Sequence, residues 1–391
     1  AMGLPQISGN IDYQNQLKQP VTLLPAELAG GEPGTFVPVR FGTQQNLSGT
    51  ATWNQLIFDP SYIVGIQSVK TLLAISKNAK TKTDQEVKLA IINAYGNVLL
   101  SQESVNILKK NIETLDKNFR DTQKIFENGL AEEEDVEQLE ITLLGLKNNL
   151  SRSERMQDIS FEMLNLTLGL PVETEITLTE NLDGLAMEYF DLGLLAREIP
   201  LEENIDFRIA ENQAESARIF VRLEQAKALP TLTSFVNYGF QGFSEEFTFF
   251  KNSQEYFTQS ILGVSLNIPI FSSGLRGAKT QQKKIEYEQA LLQLEETKNK
   301  IQLEINSAKS DYEFSLENYQ TQKRNLELSE RIENKNQIKF FEGLASSFEL
   351  SEAQRQLYAA QQELLQSMLN VITNKVALEN LLDTSKYSDE N

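Results

Sequence analysis

Apolar residues recur every three, four or seven positions along four long stretches of the chain, with polar residues between them. This heptad-like spacing predicts two pairs of long amphipathic helices. The seam residues of the first pair are Val87, Ile91, Ala94, Val98, Val105, Leu108, Ile112, Leu115, Phe119 and Phe126, then Leu139, Leu143, Leu146 and Leu150. Those of the second pair are Ile301, Ile305, Ala308, Tyr312 and Tyr319, then Leu350, Ala353, Leu357, Ala360, Leu364, Val371 and Leu378. The stretch 61–128 holds no proline, and as one helix it would span roughly 100 Å, too long for a compact globule.

Four other stretches alternate apolar and polar residues, which predicts strands at about 5–17, 43–58, 230–243 and 257–271. Proline and glycine are frequent in 18–46, so we expect a loop there. Residues 170–205 read as irregular and acid-rich, and 204–228 as a further helix.

The chain contains an internal repeat. The segment Phe126–Ala131 recurs as Phe340–Ala345, and the surrounding seam residues keep the same offset. The repeated unit is strand, loop, strand, long helix, glycine turn and return helix. Gly129 and Gly343 fall where a helix C-cap requires positive φ, and Ser346–Glu349 has the spacing of a capping box.

Composition removes most enzyme chemistry. The 391 residues include no His and no Cys, so no imidazole base, thiolate nucleophile or His/Cys metal site is available. We therefore expect no enzyme, no cofactor and no metal site. The net charge of −19 also argues against nucleic acid, whose phosphates require a basic face. No apolar run is long enough for a membrane helix, whereas membrane strands leave a weaker signal.

The repeated tips follow the pattern F-x-x-G-L-A-x-x-x-[DE]-[VL]. Duplicated units with such tips resemble the TolC-like outer membrane efflux protein family (outer membrane factors), over nearly the whole chain. The resemblance implies a mainly α fold with a transmembrane β portion. In a homotrimer, the long helical hairpins would form an α-barrel, and four strands per protomer would form a 12-stranded β-barrel. It further implies a passive, gated exit duct of a tripartite efflux or type I secretion system, in the outer membrane and extending into the periplasm. A periplasmic adaptor (membrane fusion) protein would open the duct, and an inner-membrane transporter would supply the energy.

The resemblance also assigns roles to residues. The adaptor contacts would be Gly129, Leu130, Ala131, Gly343, Leu344 and Ala345. The constriction would carry the acids Asp135, Glu349 and Glu352, which threefold symmetry turns into rings of like charge. Phe340 and Ala345 replace an aromatic hydroxyl and an arginine that lock the second tip of the prototype. Plain helix caps and solvated surface acids are the simpler readings of the same residues.

Aromatic residues crowd near the strand ends. They suit the interfacial girdle of a membrane barrel, although an ordinary core would also hold them. The girdle candidates are Trp53, Phe235, Tyr238, Phe240, Tyr256 and Phe257.

The repeat divides the chain into segments. We predict strands and an extracellular loop in 4–58, a helical hairpin in 59–169, an equatorial irregular segment in 170–205, a connecting helix and two strands in 206–271, a second hairpin in 272–384 and a tail in 385–391. By the same repeat we expect one more helix upstream of Leu4. The outer-membrane location that the resemblance implies also leads us to expect a signal peptide upstream.

Two other classes of function remain open. A soluble coiled-coil scaffold or adaptor would explain the helices and leave the aromatic strands unexplained. A hydrolase or lyase would need convergent catalytic groups, which the composition does not offer.

Overall fold

The computed structural model describes residues 3–30 and 32–382; the predicted tail at 385–391 lies outside them. The chain forms two compact units. One combines the residues up to Leu73 with Ala214–Ala290, and the other combines Ala74–Gln213 with the residues from Leu291 onward. Each unit therefore draws on both repeats.

The first unit contains a four-stranded antiparallel sheet. Its strands are β1 (Gln6–Asn15), β4 (Gln45–Phe58), β5 (Thr231–Ser244) and β6 (Tyr256–Asn267), in the spatial order β1-β4-β5-β6. Each strand lies within a few residues of the predicted stretch. The central pair, β4 and β5, joins the first repeat to the second.

The predicted loop at 18–46 contains a second, smaller sheet. Strands β2 (Val21–Pro25) and β3 (Phe36–Arg40) pair in an antiparallel hairpin around a short 3₁₀ turn at Ala26–Ala29. Here the expectation of irregular structure was wrong. Proline is tolerated in edge strands, and both strands of a two-stranded sheet are edge strands. Pro25 lies in β2 and Pro38 in β3.

The helices follow the predicted pattern. They are α1 (Pro60–Glu127), α2 (Glu133–Thr167), α3 (Leu182–Glu188), α4 (Ile205–Ala226), α5 (Leu275–Phe341) and α6 (Ser347–Leu382). Helices α1, α4 and α5 contribute residues to both units, whereas α2, α3 and α6 lie in the second. Within the described part of the chain, no helix is both long enough and apolar enough to cross a membrane.

Two apolar clusters form the core of the second unit; one is built from seam residues, and the other combines seam residues with apolar residues outside the seams. The cluster nearer the hairpin turns contains Leu108, Leu115, Leu139, Leu143, Leu146 and Leu350. The larger cluster includes Ile301, Ile305, Tyr312, Val371 and Leu378. Burial of these side chains drives the packing of the helices.

The segment between the hairpins is attached to α5 through Tyr312. The side chain of Tyr312 is fully buried. Its hydroxyl donates to the carbonyl of Tyr189 at 2.8 Å and accepts from the backbone N–H of Asp191 at 2.9 Å. The irregular region also contains helix α3 and two 3₁₀ turns, Leu192–Ala196 and Leu201–Glu203, which the sequence pattern did not reveal.

Candidate functional site

The two hairpin tips have the same backbone geometry. Gly129 and Gly343 have φ of +75° and +72°. The Gly129 N–H donates to the carbonyl of Phe126 and the Leu130 N–H to that of Ile125, and the second tip repeats both bonds. This is a Schellman motif, in which glycine avoids the strain that a side chain would meet at positive φ. The predicted C-cap role of both glycines is therefore confirmed.

Each tip has one leucine whose side chain is exposed to solvent. Leu130 is 81% exposed and Leu344 is 72% exposed, although leucine is among the residues most often buried. Ala131 and Ala345 follow and are partly covered. A side chain added at either glycine would enter open space. The surface of each turn therefore consists of small residues, glycine and alanine, and one exposed leucine side chain.

Glu349 closes the predicted capping box at the start of α6. The backbone N–H of Ser346 donates to its carboxylate at 2.9 Å, and the Glu349 N–H donates to the Ser346 hydroxyl at 3.2 Å. These bonds from Ser346 hold the pKa of the exposed Glu349 carboxyl below its usual range. Glu349 is therefore ionised at neutral pH.

Glu352 lies one turn further along α6. Its carboxylate forms an ion pair with Arg355, so part of its charge is balanced locally. Both side chains remain substantially exposed, and such pairs contribute little to stability.

Asp135 connects the two hairpins. One carboxylate oxygen accepts from the backbone N–H of Glu132 in its own turn at 3.3 Å. The other accepts from the backbone N–H of Ser347, at the start of α6, at 3.4 Å. The structure therefore brings Asp135 together with the second tip.

A groove of about 740 Å³ runs beside the tips between α1, α2 and α6. Leu108, Ile141 and Phe348 are among its apolar lining residues, and Arg152 and Arg355 also line it. The sequence analysis did not find it. The only signal was that Ile141 and Phe348 are apolar residues off the heptad seam.

In the other unit, the four-stranded sheet has two chemically different faces. Side chains alternate along a strand, and directly paired residues share a face. The register makes one face mainly apolar, with Ile7, Ile11, Tyr13, Leu47, Ala51, Trp53, Val236, Tyr238, Phe240, Tyr256, Leu262, Val264 and Leu266 beside the polar Gln55, Ser234, Thr258 and Ser260. It makes the other face mainly polar, with Gln6, Ser8, Asn10, Asp12, Gln14, Asn46, Ser48, Thr50, Thr52, Asn54, Asn237, Gln241, Gln259 and Ser265 beside the apolar Leu56, Phe235, Phe243, Phe257 and Ile261.

The register divides the six girdle candidates. Trp53, Tyr238, Phe240 and Tyr256 lie on the apolar face, whereas Phe235 and Phe257 lie on the polar face. Tyr256 and Phe257 are consecutive residues of one strand, so they point in opposite directions. The residues of a girdle must share one side of the sheet, so these six residues cannot all belong to one girdle.

Aromatic rings also cover glycines of neighbouring strands. Phe240 lies opposite Gly49, and a Cβ built on Gly49 would collide with its ring. Phe235 covers Gly263 in the same way. Such pairs shield glycine backbone and fix the register of a sheet.

Comparison with known proteins finds sequence similarity to outer membrane proteins of efflux and secretion. Residues 198–384 match the family described as outer membrane efflux protein. The chain is 22% identical over 321 residues to the probable efflux pump outer membrane protein TtgC of Pseudomonas putida, covering 82% of this chain and 65% of the relative. It is 24% identical over 311 residues to the alkaline protease secretion protein AprF of Pseudomonas aeruginosa, covering 74% of this chain and 60% of AprF. The chain thus spans less than two thirds of the length of these relatives.

The fold is that of known outer membrane channels. The crystal structure of the outer membrane protein VceC from Vibrio cholerae superposes with a TM-score of 0.71 at 16% identity, covering 97% of this chain and 87% of VceC. The predicted resemblance to outer membrane efflux proteins is thereby confirmed. The second half of the chain, residues 198–384, is thus similar in sequence to outer membrane efflux proteins, and the whole chain has the fold of outer membrane proteins such as VceC.

Proposed function

We propose that the protein is a passive, gated exit duct of the outer membrane, serving a tripartite efflux or type I secretion system. The observation that carries this proposal is the two-faced sheet. Its apolar face is exposed, as at Ile7, Ile11 and Leu262. An exposed apolar face is costly in water and stable against lipid, while the opposite face, rich in Asn, Gln, Ser and Thr, suits a water-filled lumen.

A homotrimer would complete the sheet. β1 and β6 are its outer strands, so each has one edge without a neighbour among the described strands. Unpaired edges cannot face lipid, and closed point-group assembly is the usual arrangement of identical chains. Three copies joining β1 to β6 would give one closed barrel of twelve strands, with Trp53, Tyr238, Phe240 and Tyr256 on its lipid side.

The tips would be the adaptor contact. Leu130 and Leu344 project from turns of the same geometry, so one type of partner element fits both. A periplasmic adaptor that contacts these tips better in the open state would shift the duct toward opening. An inner-membrane transporter would supply the energy.

The acids beside the tips would line the periplasmic constriction. Glu349 is ionised and exposed, and in a trimer it would form a ring of three carboxylates. With Asp135 and Glu352, such rings would favour cations in a narrow pore. A place at the constriction is compatible with the contacts that each acid already makes: Glu349 in the capping box, Asp135 with Ser347, and Glu352 with Arg355.

Relatives named for an efflux pump and for protease secretion support a role in export. No comparison supports the soluble scaffold, which would also leave the apolar face of the sheet in water.

The direct test is the mass of the purified chain in detergent and in its absence. The expected result is a particle of three chains that stays dispersed only in detergent, and whose sheet residues cross-link between copies from β1 to β6. A monodisperse particle that needs no detergent would favour the scaffold and contradict the duct.

A further inference from the structure

The loop between β5 and β6 concentrates aromatic side chains. Residues 245–255 contain Phe247, Phe249 and Phe250 within four positions. Phe250 is 87% exposed and Phe247 is 54% exposed, whereas Phe249 is buried. We call Phe247–Phe250 the aromatic segment. It lies at the end of the sheet opposite the one that leads into α1 and α5.

Hydrogen bonds within the loop hold the aromatic segment in place. The Thr248 hydroxyl donates to the Oε1 of Gln254 at 2.5 Å. The Lys251 N–H donates to the carbonyl of Thr248 at 2.8 Å, and the Gln254 N–H donates to the carbonyl of Lys251 at 3.0 Å. The exposure of Phe247 and Phe250 is therefore a property of a hydrogen-bonded turn.

One cross-strand row of the sheet ends in a tyrosine on each side. Tyr13 of β1 pairs with Leu47 of β4. Leu47 pairs with Gly242 of β5, which pairs with Tyr256 of β6. Directly paired residues share a face, so both tyrosines belong to the apolar face, at the loop end of the sheet.

The aromatic segment contacts both ends of this row. The rings of Phe247 and Phe249 are edge-to-face with the ring of Tyr13, at centroid distances of 5.6 and 5.9 Å. The Tyr256 hydroxyl donates to the backbone carbonyl of Phe249 at 2.7 Å. The loop therefore crosses from β6 to β1 along the apolar face and adds its exposed rings to that face.

The chemistry of the aromatic segment favours a lipid surface as its partner. The segment contains no charged residue, while Glu246 and Lys251 flank it. Exposed apolar patches rimmed by polar residues mark interaction sites, including membrane sites. Aromatic rings are enriched where acyl chains meet headgroups. The contacts with Tyr13 make the segment continuous with the face that the proposed function places against lipid.

We propose that the aromatic segment is a membrane anchor, in which Phe247 and Phe250 insert between the headgroups and the first acyl carbons of the bilayer. The anchor rests on the proposed function, because it uses the orientation of the sheet in the membrane. It gives a lipid-binding role to a loop, in addition to the strand residues. Its effect is to fix the depth of the barrel, since a vertical shift would carry the rings into water.

Single cysteines test the anchor without background, because the chain has no cysteine of its own. A nitroxide spin label is attached to Phe250→Cys in the loop and, separately, to Leu262→Cys on the apolar face, where Leu262 is 75% exposed. Phe257→Cys is the matched control, since Phe257 is 55% exposed at the same end of the sheet on its polar face. The proteins are reconstituted in vesicles of phosphatidylethanolamine and phosphatidylglycerol. Relaxation of each label by oxygen, which concentrates in lipid, is compared with relaxation by a water-soluble nickel chelate.

We expect the oxygen-to-nickel ratio to be at least about twofold higher at Phe250→Cys than at Phe257→Cys, because a side chain roughly 5–10 Å inside the boundary is shielded from water. Leu262→Cys should give a still higher ratio. A high ratio at Leu262→Cys with equal ratios at the other two positions would overturn the anchor and leave the proposed function intact. Protection of the Phe250→Cys label from both agents would also overturn the anchor, because protein would then cover the loop. A low ratio at Leu262→Cys would contradict the proposed function, and the anchor with it.

Discussion

The Asp135 carboxylate of the first hairpin accepts a hydrogen bond from the backbone N–H of Ser347, the first residue of α6, at 3.4 Å. Its other oxygen caps its own turn through Glu132. One side chain therefore satisfies unpaired N–H groups at the start of both return helices, where a negative charge is also favoured by the helix dipoles. Movement of one tip against the other must break this contact.

Replacement of Asp135 by Asn should loosen the tips. The amide keeps the size of the carboxylate and loses one acceptor and the charge, so we expect a loss of about 1 kcal/mol and faster hydrogen exchange around residues 345–350. Glu133→Gln is the control, since it removes another acid of the same first turn whose side chain makes no hydrogen bond or ion pair with α6 among the described residues. Equal effects of the two substitutions would mean that only the helix dipole matters.

Replacement of Leu344 by Ser should uncouple the duct from its adaptor and leave the fold intact. The side chain is 72% exposed, so its loss costs the isolated protein little, whereas an adaptor seated on it would lose an apolar contact. Export by cells carrying the variant is the measurement. Leu303→Ser is the matched control, because Leu303 is 68% exposed on α5 and away from the tips. Normal export with Leu344→Ser would argue against the tip as the docking surface.

Replacement of Tyr312 by Phe should release the segment between the hairpins. It leaves the N–H of Asp191 and the carbonyl of Tyr189 without their partner, at a cost of about 1–3 kcal/mol. Thermal unfolding measures this, with Tyr319→Phe as control. Tyr319 packs in the same cluster, and its hydroxyl makes no hydrogen bond within the described residues. A Tyr312→Phe variant as stable as Tyr319→Phe would show that ring packing alone holds the segment.

Gly49 and Gly9 provide a matched pair on the apolar face of the sheet. Valine at Gly49 would collide with the Phe240 ring, whereas a side chain at Gly9 meets nothing within 4 Å. We expect Gly49→Val to reduce the yield of detergent-stable trimer strongly and Gly9→Val to be tolerated. Similar yields for both variants would mean that Phe240 moves aside and does not fix the register.

The long elements could be predicted because each has one strong periodicity. The leucine seams and the alternating strands gave bounds close to those observed, and the repeat located both glycine turns. The β2–β3 hairpin escaped because its strands are five residues long and contain proline. The separation of Phe235 and Phe257 from the other aromatic residues could have been predicted, because side chains alternate between the two faces along a strand. Within their strands Phe235 and Phe257 occupy odd positions, whereas Tyr238, Phe240 and Tyr256 occupy even ones.

Contacts between distant residues were beyond the sequence. The Asp135–Ser347 bond joins residues of different helices, and a single sequence with no pattern linking those positions does not indicate which of many acids will make such a contact. The heptads specify that the hairpins pack; the polar partners depend on how far one hairpin is shifted along the other.

Single-channel conductance in a planar bilayer tests the duct most directly. The account requires discrete steps from the wild-type protein, blocked from one side by multivalent cations. The block should be weakened in the Glu349→Gln, Glu352→Gln double variant, because the ring of carboxylates would be gone. A folded protein that inserts into the bilayer and gives no conductance steps would contradict the pore. Conductance steps that multivalent cations block equally well in the wild type and in the double variant would contradict the acidic constriction.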